Sequence, residues 1–515
     1  MLTKIKTYTL LGAASYPVDV ETYVAKLPDD TNEEGKTTIV GLAKTVVRES
    51  GVRVGLAIRH AGFNIGSCNI LVNLAPADLP KQSPSLDLPI SLGIISSAGL
   101  AKFSSLDEYA VLGELDLDGH TRPCRGVLAA ARAAKSAGLR GILVPKENAP
   151  EAALVDGIEA IAIETLPEAV GFLQGRLNID PTPGLTGNEF ETHAKYDVDF
   201  AEVHGQEMAK RAMTIAAAGG HNVLMFGSPG AGKTMLAKRL TTILPPMTLE
   251  EALETTEIYS AVGKLEGKAL VATRPFREPH HSISEPGLVG GGASPTPGEI
   301  SLAHNGVLFL DELPEFNRKT LEALRQPLED HVARITRANQ SETFPANFVL
   351  VAALNPCPCG YRGDPKRQCR CSDQQVERYM ARISGPLLDR IDVHIETLPV
   401  TYRELSSTDP QTSSAELREK VLRAREIQTQ RYRGESIRVN AQMRRAHITR
   451  YAQLSSECDK MLEDAMERFS FSARAHDKIL RVARTIADLE GSENIEQQHL
   501  FEAISYRVLD RKIWK

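Results

Sequence analysis

The sequence predicts a multidomain α/β protein that ends in an all-α lid. Three observations carry this expectation. Over residues 1–175, short β-rich runs (37–42, Asn69–Leu74, Gly141–Pro145) alternate with Ala/Leu-rich helical stretches such as Gly126–Lys135. A second α/β stretch, 201–404, sets a glycine-rich loop between a strand at Asn222–Phe226 and a helix from Lys233. Past residue 405 only helical patterns follow, beginning with a charged amphipathic stretch at Glu416–Arg433.

The first region is read as an α/β domain over 1–175. Residues 176–200 are polar, contain Pro and Gly, lack periodicity and read as a linker. A helix over 201–218 should lead into the central strand of the second domain, 201–404, and 405–515 should form the helical lid. Two or three domains suit a chain of 515 residues, too long for one ordinary core.

Composition narrows the function classes. With 42% hydrophobic and 24% charged residues the chain reads as globular. It has no apolar run long enough to span a bilayer, and its start lacks the apolar core of a secretory signal. A cytoplasmic protein without a membrane partner is expected. The formal net charge of −6 excludes a general polycation, so any nucleic acid must meet local basic loops. Of seven cysteines, Cys68, Cys124 and Cys458 are scattered and read as plain thiols.

Gly227, Ser228, Pro229, Gly230, Ala231, Gly232, Lys233 and Thr234 satisfy the phosphate-loop pattern G-x-x-x-x-G-K-[ST] in its strand-to-helix context. The glycines let backbone N–H groups turn inward around phosphates, and the helix N-terminus adds its positive dipole end. Lys233 is expected to reach the β/γ-phosphates of ATP, and Thr234 to offer a hydroxyl to Mg²⁺. Downstream, Gly306–Leu310 is a continuous apolar run ending in Asp311 and Glu312, as for a buried strand of a parallel sheet. Asp311 is assigned to the magnesium shell and Glu312 to polarising the attacking water.

The stretch Arg274-Pro-Phe-Arg-Glu-Pro-His-His-Ser-Ile-Ser, then Gly290-Gly-Gly and Pro297–Glu312, resembles the magnesium-chelatase-like AAA+ ATPases. Within these it looks most like the bacterial ComM (YifB-type) competence proteins, over nearly the whole chain. The resemblance implies a Lon-protease-like N-terminal domain, an AAA+ parallel-sheet module and a helical C-terminal lid. It also implies a homo-hexameric helicase that drives branch migration on single-stranded and branched DNA during natural transformation, with recombination proteins as candidate partners.

Carried over by motif, Asn355 in Val351–Pro356 resembles the sensor-1 residue, with a strand-end cap as its alternative. Arg390 in Ser384–Asp392 resembles an arginine finger given to a neighbouring subunit, with an ion pair to Asp389 or Asp392 as its alternative. Arg474 in Phe471–His476 matches sensor 2 on the lid, against a solvated surface arginine. If those roles hold, each ATP site is shared between subunits.

For DNA, Arg334 and Arg337 fall in a segment that fits a β-hairpin before Asn355, similar to the pore hairpin of minichromosome maintenance helicases. The second candidate is the insert around Lys264–Gly292, with Lys264, Arg277, His280 and His281. Adjacent histidines could suggest metal, but side chains at i and i+1 point apart in regular structure, so loop packing or DNA contact is preferred.

Cys357, Cys359, Cys369 and Cys371 make two C-x-C pairs across a turn-rich segment, 357–371. Four thiolates can close a tetrahedral zinc site. An iron–sulfur cluster and free thiols are the alternatives.

In the N-terminal region, Pro80–Pro89 resembles the Lon nucleophile segment with Ser85 at the serine position. The segment Gly113–Leu128 aligns with the stretch carrying the Lon lysine base, where this chain has Leu128. A serine without a base is a poor nucleophile, so the domain is expected to be non-proteolytic; Lys81 or Lys135 would have to substitute. The function expected is an ATP-driven DNA motor. The alternatives are the ATPase subunit of a metal-chelatase-type complex and an ATP-dependent protease-like remodeller.

Overall fold

The computed structural model describes residues 2–28, 35–42, 45–81, 83–184, 195–292, 295–337, 340–364, 367–406 and 411–507. They form two compact units, one of Met1–His193 with Leu249–Ala272 and Ala293–Pro297, the other of Ala194–Thr248, Thr273–Gly292 and Gly298–Lys515.

The first unit is mixed α/β. Strands Thr3–Leu11 and Ala14–Lys26 pair antiparallel, from Thr3 opposite Thr22 to Leu11 opposite Ala14. The tight turn between them uses Gly12 at φ +63°, a region that favours glycine. Cys68–Ala75 adds antiparallel to the second strand, and Thr37–Val40 adds parallel at the edge. A second sheet of three parallel strands joins Tyr109–Val111, Gly141–Pro145 and Glu159–Ile163. The alternation along Ala14–Lys26 and Cys68–Ala75 and the all-apolar run of Gly141–Pro145 follow from one-sided and two-sided burial respectively. The helix Asp87–Ser97 is buried nearly throughout and lies in one core with both sheets.

The helix Leu249–Val262 lies, by sequence, inside the expected 201–404 domain, yet it packs with this first unit. Ser260 Oγ accepts the Gly126 N–H at 2.9 Å and donates to Glu151, and Arg132 pairs with Glu257 at 2.9 Å. These are polar contacts between segments far apart in the chain, so local periodicity carries no trace of them.

The second unit is built on a five-stranded parallel sheet in the order Phe276–Arg277, Val307–Leu310, Val349–Leu354, Val223–Phe226, Val393–Glu396. The expected helix over 201–218 instead begins at Glu207. Gly205 and Gln206 both have φ near +60°, which stops a right-handed helix from starting earlier. The C-terminal helices Ser414–Arg431, Arg445–Tyr451, Ser456–Phe469, Ala473–Leu489 and Gln497–Ser505 share one hydrophobic core with the sheet. The first of them starts at a reciprocal cap between Ser413 and Glu416.

Buried charges tie these helices to the sheet. Asp392, after Arg390 and before the last strand, meets His221 at 3.1 Å and Lys478 at 3.4 Å, while the far ring nitrogen of His221 meets Thr485 at 2.8 Å. Burial pulls Lys478 down to about 8, and Lys478 and His221 hold Asp392 below the usual carboxylate range against its own desolvation. Removing one partner from such a set would strand a buried charge. Among the described residues no helix is long and apolar enough to cross a membrane.

Candidate functional site

The loop 227–232, Asp311 and Asn355 each follow the C-terminal end of a parallel strand, the usual ligand side of an open α/β sheet. Val223–Phe226 is the strand from which the loop 227–232 leaves, and helix Lys233–Ile243 follows at once. Gly227 is required sterically, since a Cβ there would lie 2.2 Å from the Thr397 carbonyl oxygen. Gly230 and Gly232 adopt φ +81° and +82°, turning the backbone into an anion cradle at the helix start. A glycine cradle with its lysine fits a nucleotide phosphate chain.

Lys233 is buried, and its Nζ donates to Gly227 O at 2.7 Å, Ser228 O at 3.1 Å and Asn355 Oδ1 at 3.0 Å. Burial lowers its pKa, partly offset by Asp311 and Glu312. Asn355 follows strand Val349–Leu354, which is adjacent to the phosphate-loop strand, and so meets Lys233 directly. Thr234 Oγ1 donates to Asp311 Oδ2 at 3.2 Å. A hydroxyl and a carboxylate in contact form a hard oxygen donor set that fits Mg²⁺.

Glu312 follows Asp311 at φ +50°, a left-handed conformation costly for a residue with a Cβ. Its N–H donates to Asp311 Oδ1 at 2.8 Å, and its carboxylate lies 3.4 Å from His281 Nδ1. Sequence reasoning singled out His281 only as loop packing or a DNA contact. The expectation that His280 and His281 point apart is also corrected: their rings lie 4.1 Å apart. The rule holds for helices and strands, whereas this segment is neither, and His280 turns back to bond Ser282 Oγ at 2.8 Å.

Arg390 and Arg474 bond elsewhere. Arg390 is largely buried, pairs with Glu329 and donates to Pro386 O at 2.5 Å, and its Nε has no partner among the described residues. The ion pair weighed from sequence, with Asp389 or Asp392, is not the one formed. Asp392 is engaged with His221 and Lys478, and Asp389 accepts from the exposed Arg474 at 2.8 Å.

The four clustered cysteines come together. The sulfurs of Cys357, Cys359, Cys369 and Cys371 all lie within 4.8 Å of one another, with Cys357 to Cys359 at 3.3 Å and Cys357 to Cys369 at 3.6 Å. Sulfurs on a tetrahedral zinc at 2.3 Å stand about 3.8 Å apart, so the set fits that ion. Backbone N–H groups of Arg370 and Tyr361 draw the Cys359 thiol down to about 6, while burial pushes Cys357 up to about 12.

The hairpin expected before Asn355 is formed by Val332–Arg337 and Gln340–Pro345, with Arg334 opposite Thr343 and Arg337 opposite Gln340. Arg334 is exposed, 3.8 Å from Asp330. The Arg337 side chain lies outside the described residues. Arg277 is committed to Glu299 through two bonds of 2.6 and 2.8 Å, which lowers its value as a phosphate contact. Lys264 is exposed and belongs to the first unit, Arg277 to the second, so the insert treated as one candidate is divided.

In the first unit Ser85 is buried in a short turn. Leu128 is buried, and its N–H donates to Glu151 at 2.9 Å. Lys81 is fully buried and spends its Nζ on the carbonyls of Leu74 (2.9 Å) and Pro76.

Residues 199–405 match the family described as magnesium chelatase, subunit ChlI, 411–507 match its C-terminal region, and 29–148 match a further ChlI subunit family. The chain is 46% identical to competence protein ComM of Haemophilus influenzae over 93% of each sequence. The chain belongs to the ComM/YifB family of magnesium-chelatase-like proteins. YifB of Escherichia coli is 42% identical over 99% of this chain and 98% of its own length. Lon protease 2 of Bacillus subtilis is 31% identical over 129 residues, 25% of this chain and 23% of that protein. The ComM/YifB chain thus combines a mixed α/β fold containing parallel sheets with a helical C-terminal region.

Proposed function

We propose that this protein is an ATP-hydrolysing motor that acts on DNA, a homo-hexameric helicase promoting branch migration during natural transformation in the cytoplasm. The observation that carries the reading is the joined set Lys233, Asn355, Thr234, Asp311 and Glu312 in a chain 46% identical to a competence protein over 93% of its length.

In this reading the backbone of 227–232 and Lys233 bind the phosphates, and Thr234 and Asp311 hold Mg²⁺. The metal supplies charge neutralisation at the transferring phosphoryl group. Glu312 takes a proton from the attacking water, and Asn355 orients that water against the phosphate. Arg390 serves a neighbouring subunit's site and Arg474 the lid of its own. Arg334 and Arg337 on the hairpin meet single-stranded and branched DNA, with Lys264 as a further contact. The N-terminal unit is non-proteolytic: Leu128 occupies the base position and Lys81 is held by carbonyls. Cys357, Cys359, Cys369 and Cys371 hold a structural Zn²⁺.

A metal-chelatase reading is favoured by the ChlI match over 199–405. One assay separates the two: ATP hydrolysis measured with and without forked and three-stranded DNA, alongside strand displacement. DNA-stimulated turnover with displacement supports the motor. Turnover indifferent to DNA, with ATP-dependent insertion of Mg²⁺ into a porphyrin, would replace it with the chelatase.

A further inference from the structure

The cysteine loop touches the nucleotide site at three points. Cys357 follows Asn355 by two positions, and Asn355 takes a hydrogen bond from Lys233. Gly360 closes a turn by donating to Cys357 O at 2.9 Å, at φ +83°. A Cβ on Gly360 would lie 2.6 Å from both Cδ and Cγ of Pro229, so the turn is seated on the phosphate loop itself. Beyond the last cysteine, Ser372 caps the helix Asp373–Met380 through a reciprocal bond pair with Gln375, and buried Tyr379 of that helix lies beside the Asn355 backbone.

Between these anchors the loop holds Pro, Gly, Asp, Arg, Lys and Gln with a single aromatic, Tyr361, which takes a bond from Arg367 at 2.6 Å, too little apolar surface to build a core. Its two ends are brought together at the meeting of Cys357 and Cys359 with Cys369 and Cys371. Binding a metal to such a set is at the same time folding the loop. The position of Gly360 against Pro229 therefore depends on the same event.

We propose that a divalent zinc ion on Cys357, Cys359, Cys369 and Cys371 braces the phosphate loop through the Gly360–Pro229 contact, so that metal occupancy sets nucleotide affinity. This rests on the ATP-binding reading and adds a regulatory ligand to it. The loop then does more than stabilise the fold: a site starved of zinc is a site that holds nucleotide poorly. Glycine at 360 is needed for contact as well as for backbone conformation, which gives the idea a test independent of the cysteines.

The test uses the full chain purified without chelator. Zinc content is measured with a chromogenic indicator after thiol displacement, and affinity with a fluorescent ATP analogue and Mg²⁺. Wild type should carry one zinc per chain and bind the analogue. Cys369→Ser with Cys371→Ser should lose the zinc and bind about tenfold or more weakly. Gly360→Ala should keep the zinc and still weaken binding about tenfold, the cost of a left-handed non-glycine plus displacement of Pro229. If the cysteine variant fails to fold, Gly360→Ala alone decides. A zinc-loaded Gly360→Ala chain with wild-type affinity would overturn the brace, as would wild type without zinc. Wild type that binds no nucleotide would sink the ATP reading and the brace with it, whereas unchanged affinity in the variants sinks only the brace.

Discussion

His281 Nδ1 stands 3.4 Å from the carboxylate of Glu312, the residue held at φ +50° beside the Asp311–Thr234 pair. The pair joins a loop singled out for its histidines to the acid assigned to activate water. It gives the Glu312 carboxylate a partner other than the phosphate region.

Glu312→Gln should lower ATP turnover by about 10²-fold or more while leaving nucleotide affinity near wild type, because an amide cannot take a proton. His281→Ala should keep affinity and change turnover severalfold, since it alters only where Glu312 rests. Steady-state hydrolysis set against nucleotide titration checks both. Full activity in Glu312→Gln would remove it from the chemistry.

Arg390 is paired with Glu329 within its own chain. An arginine acting on a neighbour's nucleotide must leave that partner. Arg390→Ala should reduce turnover by about 10³-fold with binding retained, and dilution below the assembly threshold should do the same to wild type. Glu329→Ala, which frees the guanidinium, should leave turnover equal or raise it. Hydrolysis measured across a protein concentration series reads all three.

Arg337→Ala should keep basal hydrolysis and lose stimulation by DNA, and Arg334→Ala should weaken DNA binding more mildly. Arg277→Ala should act on stability rather than on DNA, because it breaks the two bonds to Glu299. Fluorescence anisotropy with labelled single strands and a thermal melt for each variant distinguish the two kinds of loss. A drop in DNA affinity for Arg277→Ala at unchanged melting temperature would reverse that assignment.

Asp87 sits fully buried beside Arg53 at 3.0 Å, and burial outweighs this pairing, raising its carboxyl to about 6. A folded-state pKa above the unfolded one means the folded chain binds the proton more tightly. Stability from this group is therefore present at low pH and is lost as pH rises from about 4 to about 6, on the order of 2–3 kcal/mol. Asp87→Asn should flatten that stretch of the melting temperature against pH profile. An unchanged slope would mean Asp87 is ionised in the fold throughout.

The phosphate loop, the acid pair after an apolar strand, the cysteine quartet and the α/β alternation were legible because each is a local pattern. Its chemistry or periodicity lies within a few consecutive residues, and the backbone geometry it needs is set by those residues, as Gly230 and Gly232 show by their positive φ. The start of the 207–219 helix is set by Gly205 and Gln206, both in the left-handed region, and only the glycine is marked in the sequence, since that conformation is unusual for a residue such as Gln206.

By itself the sequence determined which residues could bind phosphate and metal, and that a parallel sheet would present them. Only the tertiary structure decided which side chains face them: His281 against Glu312, Glu329 against Arg390, and Gly360 against Pro229. The same is true of helix Leu249–Val262, which joins the N-terminal unit through Ser260 and Glu151. These pairings join residues 31 to 131 positions apart and depend on packing of whole elements rather than on any local propensity. Contacts of that kind leave no periodic trace in a single sequence.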